Sequence, residues 1–498
     1  MFDEITIQNI KQAKESLVYR NQAFVSGEYV NSISGKTFTC VSSATGEVLT
    51  QIAECDEDDV NHAVAVARKA FENGCWRDLP PAERKTILAK FADLMEANRN
   101  ELGLLETLDV GKPITEAINT DVTIAADAIR WSAEAIDKLN DEVVPTGSNA
   151  VGTITHEPLG VVAAIVPWNY PLFMAAWKIG PILAAGNSMI LKPAEQTSLT
   201  AIRIAELANE AGIPKGVFNV LPGFGETVGQ ALGRHSDVDG IAFTGSTVVG
   251  KLFLKYSAES NMKRVSVECG GKSPIIIMPD SDLDAAAETA VSGLFYNQGE
   301  SCDALSRTLI HESVKDEVLD KILKITRAIK VGDPLDPSTE FGAIIDQQQF
   351  EQVMNYIEIA KQEGAKLILG GNQLTAAPGV LMLEPTLFDQ VDNRMRVAQE
   401  EIFGPVGTII TFKDVDEAIA IANDSKYGLV SSVWTSSLKT AYKFRNGIRT
   451  GSVWINCHDA GDMTVPFGGF GESGIGRDRS LHSLHKYCEL KTTWINLD

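Results

Sequence analysis

Apolar residues recur at helical spacing through DEDDVNHAVAVARKAFENG and PAERKTILAKFADLMEANRNELGLLETL, which predicts two helices over residues 57–107, and a third is predicted over 121–139. From Gly160 the texture changes. Short apolar runs (GVVAAIVPW, SMILKP, GVFNVLPG, DGIAFTG, KRVSVECGG) alternate with amphipathic stretches over 172–185, 197–211, ETVGQALGRH and VVGKLFLKYSAES. Strand and helix alternating this tightly predict βαβ units and a mostly parallel sheet. Ligands of such sheets lie beyond the carboxyl ends of the strands. A second α/β region starts near Lys272, with PIIIMP as a strand and LDAAAETAVSGLFYNQG as a helix delivering Cys302. SRTLIHESV, KDEVLDKILKITRAI and strands around TIITF, VSSVWT and GSVWIN follow. The tail CELKTTWINLD alternates like an exposed edge strand, which commonly pairs with another subunit.

At 498 residues and 44% hydrophobic, the chain can bury more than one domain core. No apolar run reaches the ~18 residues of a membrane span, and MFDEITIQNIKQAKESL lacks the apolar centre of a signal peptide. A net charge of −22 argues against nucleic acid and anionic membranes as partners. The seven cysteines are odd in number and scattered, with no CxxC, so zinc clusters and disulfide scaffolds fit poorly and a cytoplasmic setting is expected. Most of these thiols read as small core residues; Cys302 has a different context.

Cys302 closes FYNQGESC, and Glu268 opens ECGGKSP. A thiol becomes a nucleophile as thiolate, so it needs a base or a lowered pKa. No histidine lies near either motif, which weakens a Cys-His pairing; His482 and His485 sit in the terminal segment. A thiol and a carboxylate beside glycines are parts suited to adding to a carbonyl and then hydrolysing a thioester.

PWNYPL at 167–172, LKPAEQTSL at 191–199, FTGSTVVG at 243–250, ECGGKSP at 268–274, FYNQGESC at 295–302, EEIFGPV at 400–406 and PFGGFGESGIGRD at 466–478 occur in that order. Through them the chain resembles the aldehyde dehydrogenase superfamily over nearly its whole length. The closing stretch is most similar to members that oxidise gamma-glutamyl-gamma-aminobutyraldehyde and other omega-aminoaldehydes in polyamine breakdown. The resemblance implies that Cys302 adds to the aldehyde. The Cys302 backbone N–H and the Asn169 amide then hold the oxyanion, and Glu268 activates water against the thioester. Lys178 and Asp478 resemble a proton-exit pair. Two departures stand beside the nucleophile. Glu300 and Asp303 replace residues often neutral in the family. Asp303 can raise the thiol pKa, hold a cationic substrate, or point outward. Cys269 follows Glu268 and reads mainly as packing.

No GxGxxG follows the first strand of the alternating region, so an ordinary dinucleotide fingerprint is absent. The resemblance implies NAD held otherwise. Trp168 and Ser246 contact the pyrophosphate side, Gly225 and Gly229 admit the adenine end, and Val166, Pro167, Phe243 and Gly245 also bind the cofactor. Lys192 and Glu195 meet the adenine ribose, where Glu195 would repel a 2′-phosphate. Glu401 and Phe403 lie at the nicotinamide ribose. Tunnel candidates are Tyr170, Trp177, Phe295, Tyr296, Trp454 and Phe467. Asp121, at the entrance, with Asp459 and Asp462, would draw an ammonium group. Val41, Asp109 and Gln196 resemble a structural monovalent-cation site in which the usual Asn-Pro is replaced by Ser42 and Ser43.

The expected fold is α/β and aldehyde dehydrogenase-like. A Rossmann-type NAD-binding domain spans 1–139 and 159–270, a catalytic domain 271–479, and oligomerisation segments 140–158 and 480–498, giving a homodimer or homotetramer. The expected activity is NAD-dependent oxidation of an omega-aminoaldehyde, or its gamma-glutamyl conjugate, to the acid. Betaine aldehyde or a broad aliphatic range is the near alternative. A thiol acyltransferase is the alternative of another class, and Glu268 disfavours it because such an enzyme must keep water from the thioester. A non-catalytic protein on the same scaffold is disfavoured by Cys302, Glu268, Asn169 and Lys192.

Overall fold

A computed structural model describes residues 4–498. The alternating region forms an eight-stranded sheet. Its order is Glu28–Val30, Ala23–Val25, Phe218–Val220, Ser188–Lys192, Val161–Ile165, Gly240–Gly245, Arg264–Cys269, Gly474–Ile475. The five strands from Phe218–Val220 to Arg264–Cys269 are parallel. Side chains alternate between two cores. Val162, Ala164, Met189 and Leu191 face one, with the helices Pro171–Ala184 and Leu199–Ala211. Val161, Ala163, Ile165 and Ile190 face the other, with Glu57–Glu72 and Thr247–Glu259. Burial on both faces is why these strands are continuously apolar.

The chain enters at the central strand Val161–Ile165, steps outward twice on one side, then returns to Gly240–Gly245 on the other. That reversal opens a crevice at the carboxyl ends. A second sheet of seven strands runs Lys366–Leu369, Thr386–Asp389, Val406–Phe412, Arg307–His311, Pro274–Ile277, Val430–Trp434, Ser452–Ile455. It is parallel except at its first pair.

Several elements differ from the hydrophobic pattern. The second predicted helix is two, Pro81–Ala97 and Arg99–Val110, broken at Asn98. The Asn98 amide donates to the Leu94 carbonyl at 2.7 Å, competing with the helix's own bonding. The helix expected over 121–139 is Val122–Ala135, entered through the π-turn Ala117–Asp121. ETVGQALGRH is a π-turn at Gly225–Gly229 and one short helix, Gln230–Arg234. The helix expected to deliver Cys302 stops at Phe295, seven positions short (302 − 295). The N-terminal strands that extend the first sheet carry no signal in the pattern. Gly474–Ile475, within the span expected for the catalytic domain, pairs with Arg264–Cys269 in the cofactor-side sheet.

The segments grouped for oligomerisation share a three-stranded antiparallel sheet, Cys488–Asn496 with Ala150–Pro158 and Glu142–Val144. Leu490, Trp494 and Ile495 on it are exposed.

Candidate active site

Strand ends of the first sheet set out the site. After Val161–Ile165 come Val166, Pro167, Trp168 and Asn169; Lys192 ends its strand; Ser246 follows Gly245; Glu268 ends the last parallel strand. Residues scattered over a hundred positions thus share one edge, because parallel strands end together.

Cys302 arrives on a strained turn. Asn297, Gln298 and Gly299 have φ of 47°, 57° and 72°, and the left-handed region is costly for the first two. Side chains hold it there. The Asn297 amide donates to the carbonyls of Asn169 (3.1 Å) and Glu300 (3.3 Å), and Gln298 accepts from Gly342 N–H at 2.8 Å. The Asn169 amide donates to the Glu300 carbonyl at 2.9 Å, two residues before Cys302. Its second N–H is thereby aimed by a buried contact. Cys302 is half-buried. Burial, then the charges of Asp303, Glu401 and Glu268, push its thiol well above the usual range. Asp303 accepts from Ser301 Oγ at 2.6 Å. Glu300 is fully buried and accepts from Ile345 N–H at 3.3 Å.

Glu268 is 4% exposed, and neither carboxylate oxygen has a hydrogen-bond partner. Burial and the charge of Asp478 raise its pKa well above the ordinary 4.5, against Lys178, Lys486 and Arg477. Its space is reserved by a glycine. A Cβ at Gly468, where φ is 145°, would lie 2.6 Å from Glu268 Oε1. Asp478 is paired with both Lys178 and Lys486. Burial would raise its pKa, but the two lysines hold it below the usual range. Lys486 was not singled out in the sequence; it reaches Asp478 across the short helix Ser480–His485.

On the dinucleotide side, Lys192 and Glu195 are 3.0 Å apart at the strand end, Lys192 buried and Glu195 partly exposed. Ser246 caps Thr247–Glu259, accepting from Val249 N–H at 3.4 Å. Val248, Val249 and Leu252 are exposed on that helix, an apolar strip that motif reading missed. A Cβ at Gly225 would meet nothing within 4 Å, so the protein leaves that approach open. Gly229 lies in the same π-turn, and Phe243 packs on Phe253 at 5.0 Å. Glu401 accepts from Gly271 N–H at 3.1 Å, and burial pushes its carboxyl to about 7. Phe403, with φ of 59°, meets Trp168 edge-on at 5.1 Å. An open glycine turn, a lysine–carboxylate pair and a capped helix start suit a dinucleotide.

The sequence profile of the Aldehyde dehydrogenase family matches residues 29–493. The chain belongs to the aldehyde dehydrogenase family. It is 49% identical over 485 residues to the NADP/NAD-dependent aldehyde dehydrogenase PuuC of Escherichia coli, covering 97% of each chain. The gamma-glutamyl-gamma-aminobutyraldehyde dehydrogenase structure from Burkholderia cenocepacia is 52% identical, with a TM-score of 0.97 over 99% of this chain and 100% of that one. The indole-3-acetaldehyde dehydrogenase AldA of P. syringae, solved with NAD+ and IAA, is also 52% identical, with a TM-score of 0.98 over the same shares.

In this dehydrogenase four of the aromatics named as tunnel candidates, Tyr170, Trp177, Tyr296 and Phe467, are linked by ring contacts through Phe173. Tyr170 packs on Phe173 (4.7 Å) and stacks with Tyr296 (6.4 Å); Phe173 meets Trp177 (5.3 Å), and Trp177 meets Phe467 (5.4 Å). Phe295 is buried in the second sheet's core, packed with Ala290, Leu294 and Ile310 rather than with these rings. Trp454 donates from its indole N–H to the Ala460 carbonyl at 2.8 Å, and Asp459 is exposed beside it. Asp462 is exposed and caps Thr464 N–H at 2.8 Å.

Asp121 differs from the entrance position expected of it. It is fully buried and ion-paired with Lys112, which is 1% exposed. Glu106 and Glu116 share that charge, and burial raises each to about 8. Lys112 Nζ lies 4.0 Å from the Tyr170 ring centre, and Tyr170 Oη donates to Ser301 Oγ at 3.3 Å. The cluster thus supports the nucleophile loop from behind.

The groups compared with a cation site have protein partners. Asp109 accepts from Leu199 N–H at 3.0 Å, Gln196 donates to Asp346 at 3.2 Å, and Val41 pairs with Val48 in a hairpin. Cys269 is buried against Gly250. Among the described residues no cluster of three or more His, Cys, Asp or Glu could hold a metal, and no helix is long and apolar enough to cross a membrane.

Proposed function

We propose that this enzyme oxidises omega-aminoaldehydes or their gamma-glutamyl conjugates to the free acids with NAD, using Cys302 as nucleophile and Glu268 as the base that releases product. The carrying observation is the Glu268 carboxylate: buried, unpaired, and at the strand edge shared with Asn169. An orphaned buried carboxylate is costly unless it has work to do.

Cys302 Sγ adds to the aldehyde carbon, and its own N–H with the Asn169 amide receives the oxyanion. When bound, NAD supplies the hydride acceptor and a positive charge beside the thiolate. Glu401 and Lys192 would hold the nicotinamide and adenine riboses. The thioester left on Cys302 is then opened by water that Glu268 deprotonates. Glu268's raised affinity for a proton suits that step. The Lys178–Asp478–Lys486 cluster is the onward route: a lysine that has given its own proton to solvent takes the one from Glu268, and the Asp478 carboxylate stays paired throughout.

The name of the Burkholderia structure supports the aminoaldehyde class. The name of the equally similar P. syringae enzyme favours a second reading, an aromatic aldehyde against the linked aromatic rings. Comparing kcat/KM by NADH absorbance for 4-aminobutanal, its gamma-glutamyl conjugate, butanal and indole-3-acetaldehyde decides. The aminoaldehyde reading fails if indole-3-acetaldehyde is preferred over both amine-bearing substrates. Glu195 further implies NAD over NADP, although the E. coli relative's name carries both. Division into the three domains given above, and assembly through the exposed strand Cys488–Asn496, belong to the same proposal.

A further inference from the structure

The structure assigns Arg479 as a specificity-determining residue: we propose that it binds a carboxylate at the far end of the substrate, so that with Asp459 it selects a zwitterionic gamma-glutamyl conjugate over the free aminoaldehyde. This rests on the dehydrogenase reading above and narrows it to one substrate class.

Arg479 directly follows Asp478 of the buried lysine cluster and is half-buried. Its guanidinium carbon lies 5.4 Å from the centre of the ring of Trp177, one of the tunnel candidates. One terminal nitrogen donates to the Asp462 carbonyl at 2.7 Å, which fixes the fork. Its Nε is buried and has no partner. A guanidinium is a planar set of donors that matches a carboxylate; here part of that set is held back from every protein acceptor. The backbone is strained to put it there. Arg479 and Ser480 have φ of 61° and 50°, two successive left-handed residues without glycine. Contacts on both sides lock the bend: Asp478 N–H to the Phe467 carbonyl (2.7 Å) and Ser480 N–H to the Met463 carbonyl (2.7 Å). Strain of this kind, costing roughly 1–3 kcal/mol per residue, persists where the geometry is needed.

Asp459 is the complementary half. It is exposed, also left-handed at φ 45°, and sits on the loop tied by Trp454 to Ala460. Asp303, Asp459 and Asp462 all act electrostatically on Arg479, which lies against the Trp177 ring. An ammonium alone would meet Asp459 but also the like charge of Arg479, and a neutral aldehyde would use neither. A terminal bearing both an ammonium and a carboxylate satisfies both, and repulsion of the purely cationic rival adds to the discrimination.

The test compares two aldehydes on the full-length enzyme: gamma-glutamyl-gamma-aminobutyraldehyde and its analogue lacking only the α-carboxylate. Arg479→Gln should lower the ratio of their kcat/KM values by roughly tenfold, through KM of the conjugate, as expected for a lost charge pair; Arg479→Lys should restore most of it. An unchanged ratio overturns the proposal. So does an equal loss on both aldehydes, because that marks a structural role. Should Arg479→Gln not fold, the unmodified enzyme still decides. Gamma-glutamylbutylamide, which has no aldehyde, should inhibit butanal oxidation with a Ki roughly tenfold below that of its decarboxylated analogue; equal Ki values overturn the proposal. A wild-type enzyme that oxidises butanal and not the conjugate overturns it while leaving the dehydrogenase reading intact. One that reduces NAD with none of the aldehydes supplied overturns that reading.

Discussion

Glu268 and Asp121 are both buried carboxylates beside the nucleophile's surroundings, and they do opposite things. Asp121 is closed into an ion pair with Lys112, under a tyrosine that touches the Cys302 loop. Glu268 has no partner for either oxygen. Burial raises both pKa values, against Lys112 in one case and chiefly against Lys178 in the other. The difference lies in what satisfies the charge: a protein cation in the first pocket, and in the second a proton that comes and goes. Burial alone therefore does not mark a functional carboxylate; burial without a partner does.

The comparison breaks most readily at Glu268. Glu268→Gln should lower kcat by about 10²- to 10⁴-fold, the usual worth of a general base. The fold should survive the change, because glutamine has nearly the same size and enters the same pocket beside Gly468. The pH dependence of stability sharpens this. Folded Glu268 has a pKa above its unfolded value near 4.5, so the native state binds the extra proton and stability falls as pH rises from there through the raised pKa. Glu268→Gln should remove that part of the decline in urea titrations run across pH. An unchanged slope would mean that Glu268 is ionised in the folded enzyme.

Asp121→Ala should behave in the opposite way. Leaving Lys112 buried and unpaired should cost about 3–5 kcal/mol of stability, read by chemical denaturation. The preference for 4-aminobutanal over butanal should stay as it is, and a selective rise in KM for the amine would return Asp121 to the substrate site.

Much of the architecture was legible in advance because parallel strands buried on both faces are continuously apolar. That pattern located Val161–Ile165, Ser188–Lys192 and Gly240–Gly245; the roles of Asn169, Lys192 and Ser246 came from the family resemblance, and Glu268 from its glycine-flanked motif. What stayed hidden depends on contacts that periodicity does not encode. Nothing in the spacing of Lys112 and Asp121 announces a pair, since Pro113 and a π-turn lie between them. LDAAAETAVSGLFYNQG is apolar enough to be helical throughout, yet Asn297 and Gln298 are left-handed because Asn169, Glu300 and Gly342 accept and donate their side-chain bonds. Lys486 and Arg479 lie between the PFGGFGESGIGRD motif and the alternating tail that begins at Cys488, in a stretch whose pattern singles out neither.

Smaller effects sharpen the electrostatics of the two sides of Cys302. The thiol is raised by burial first and by Asp303 next. Asp303→Asn should therefore move the midpoint of Cys302 alkylation to lower pH; an unmoved midpoint would show that the carboxylate does not act on the sulfur. At the far end of the dinucleotide side, Glu195→Gln should raise kcat/KM for NADP relative to NAD by a few-fold, on the order of one relieved like-charge contact.

The most direct measurement mixes Glu268→Gln with aldehyde and NAD and follows a single turnover by rapid NADH absorbance and intact-protein mass. The enzyme should release one NADH per site in a burst, then stall with the acyl group's mass attached at Cys302. Steady turnover at the wild-type rate, or a burst with no adduct on that cysteine, would contradict the division of labour between the two residues.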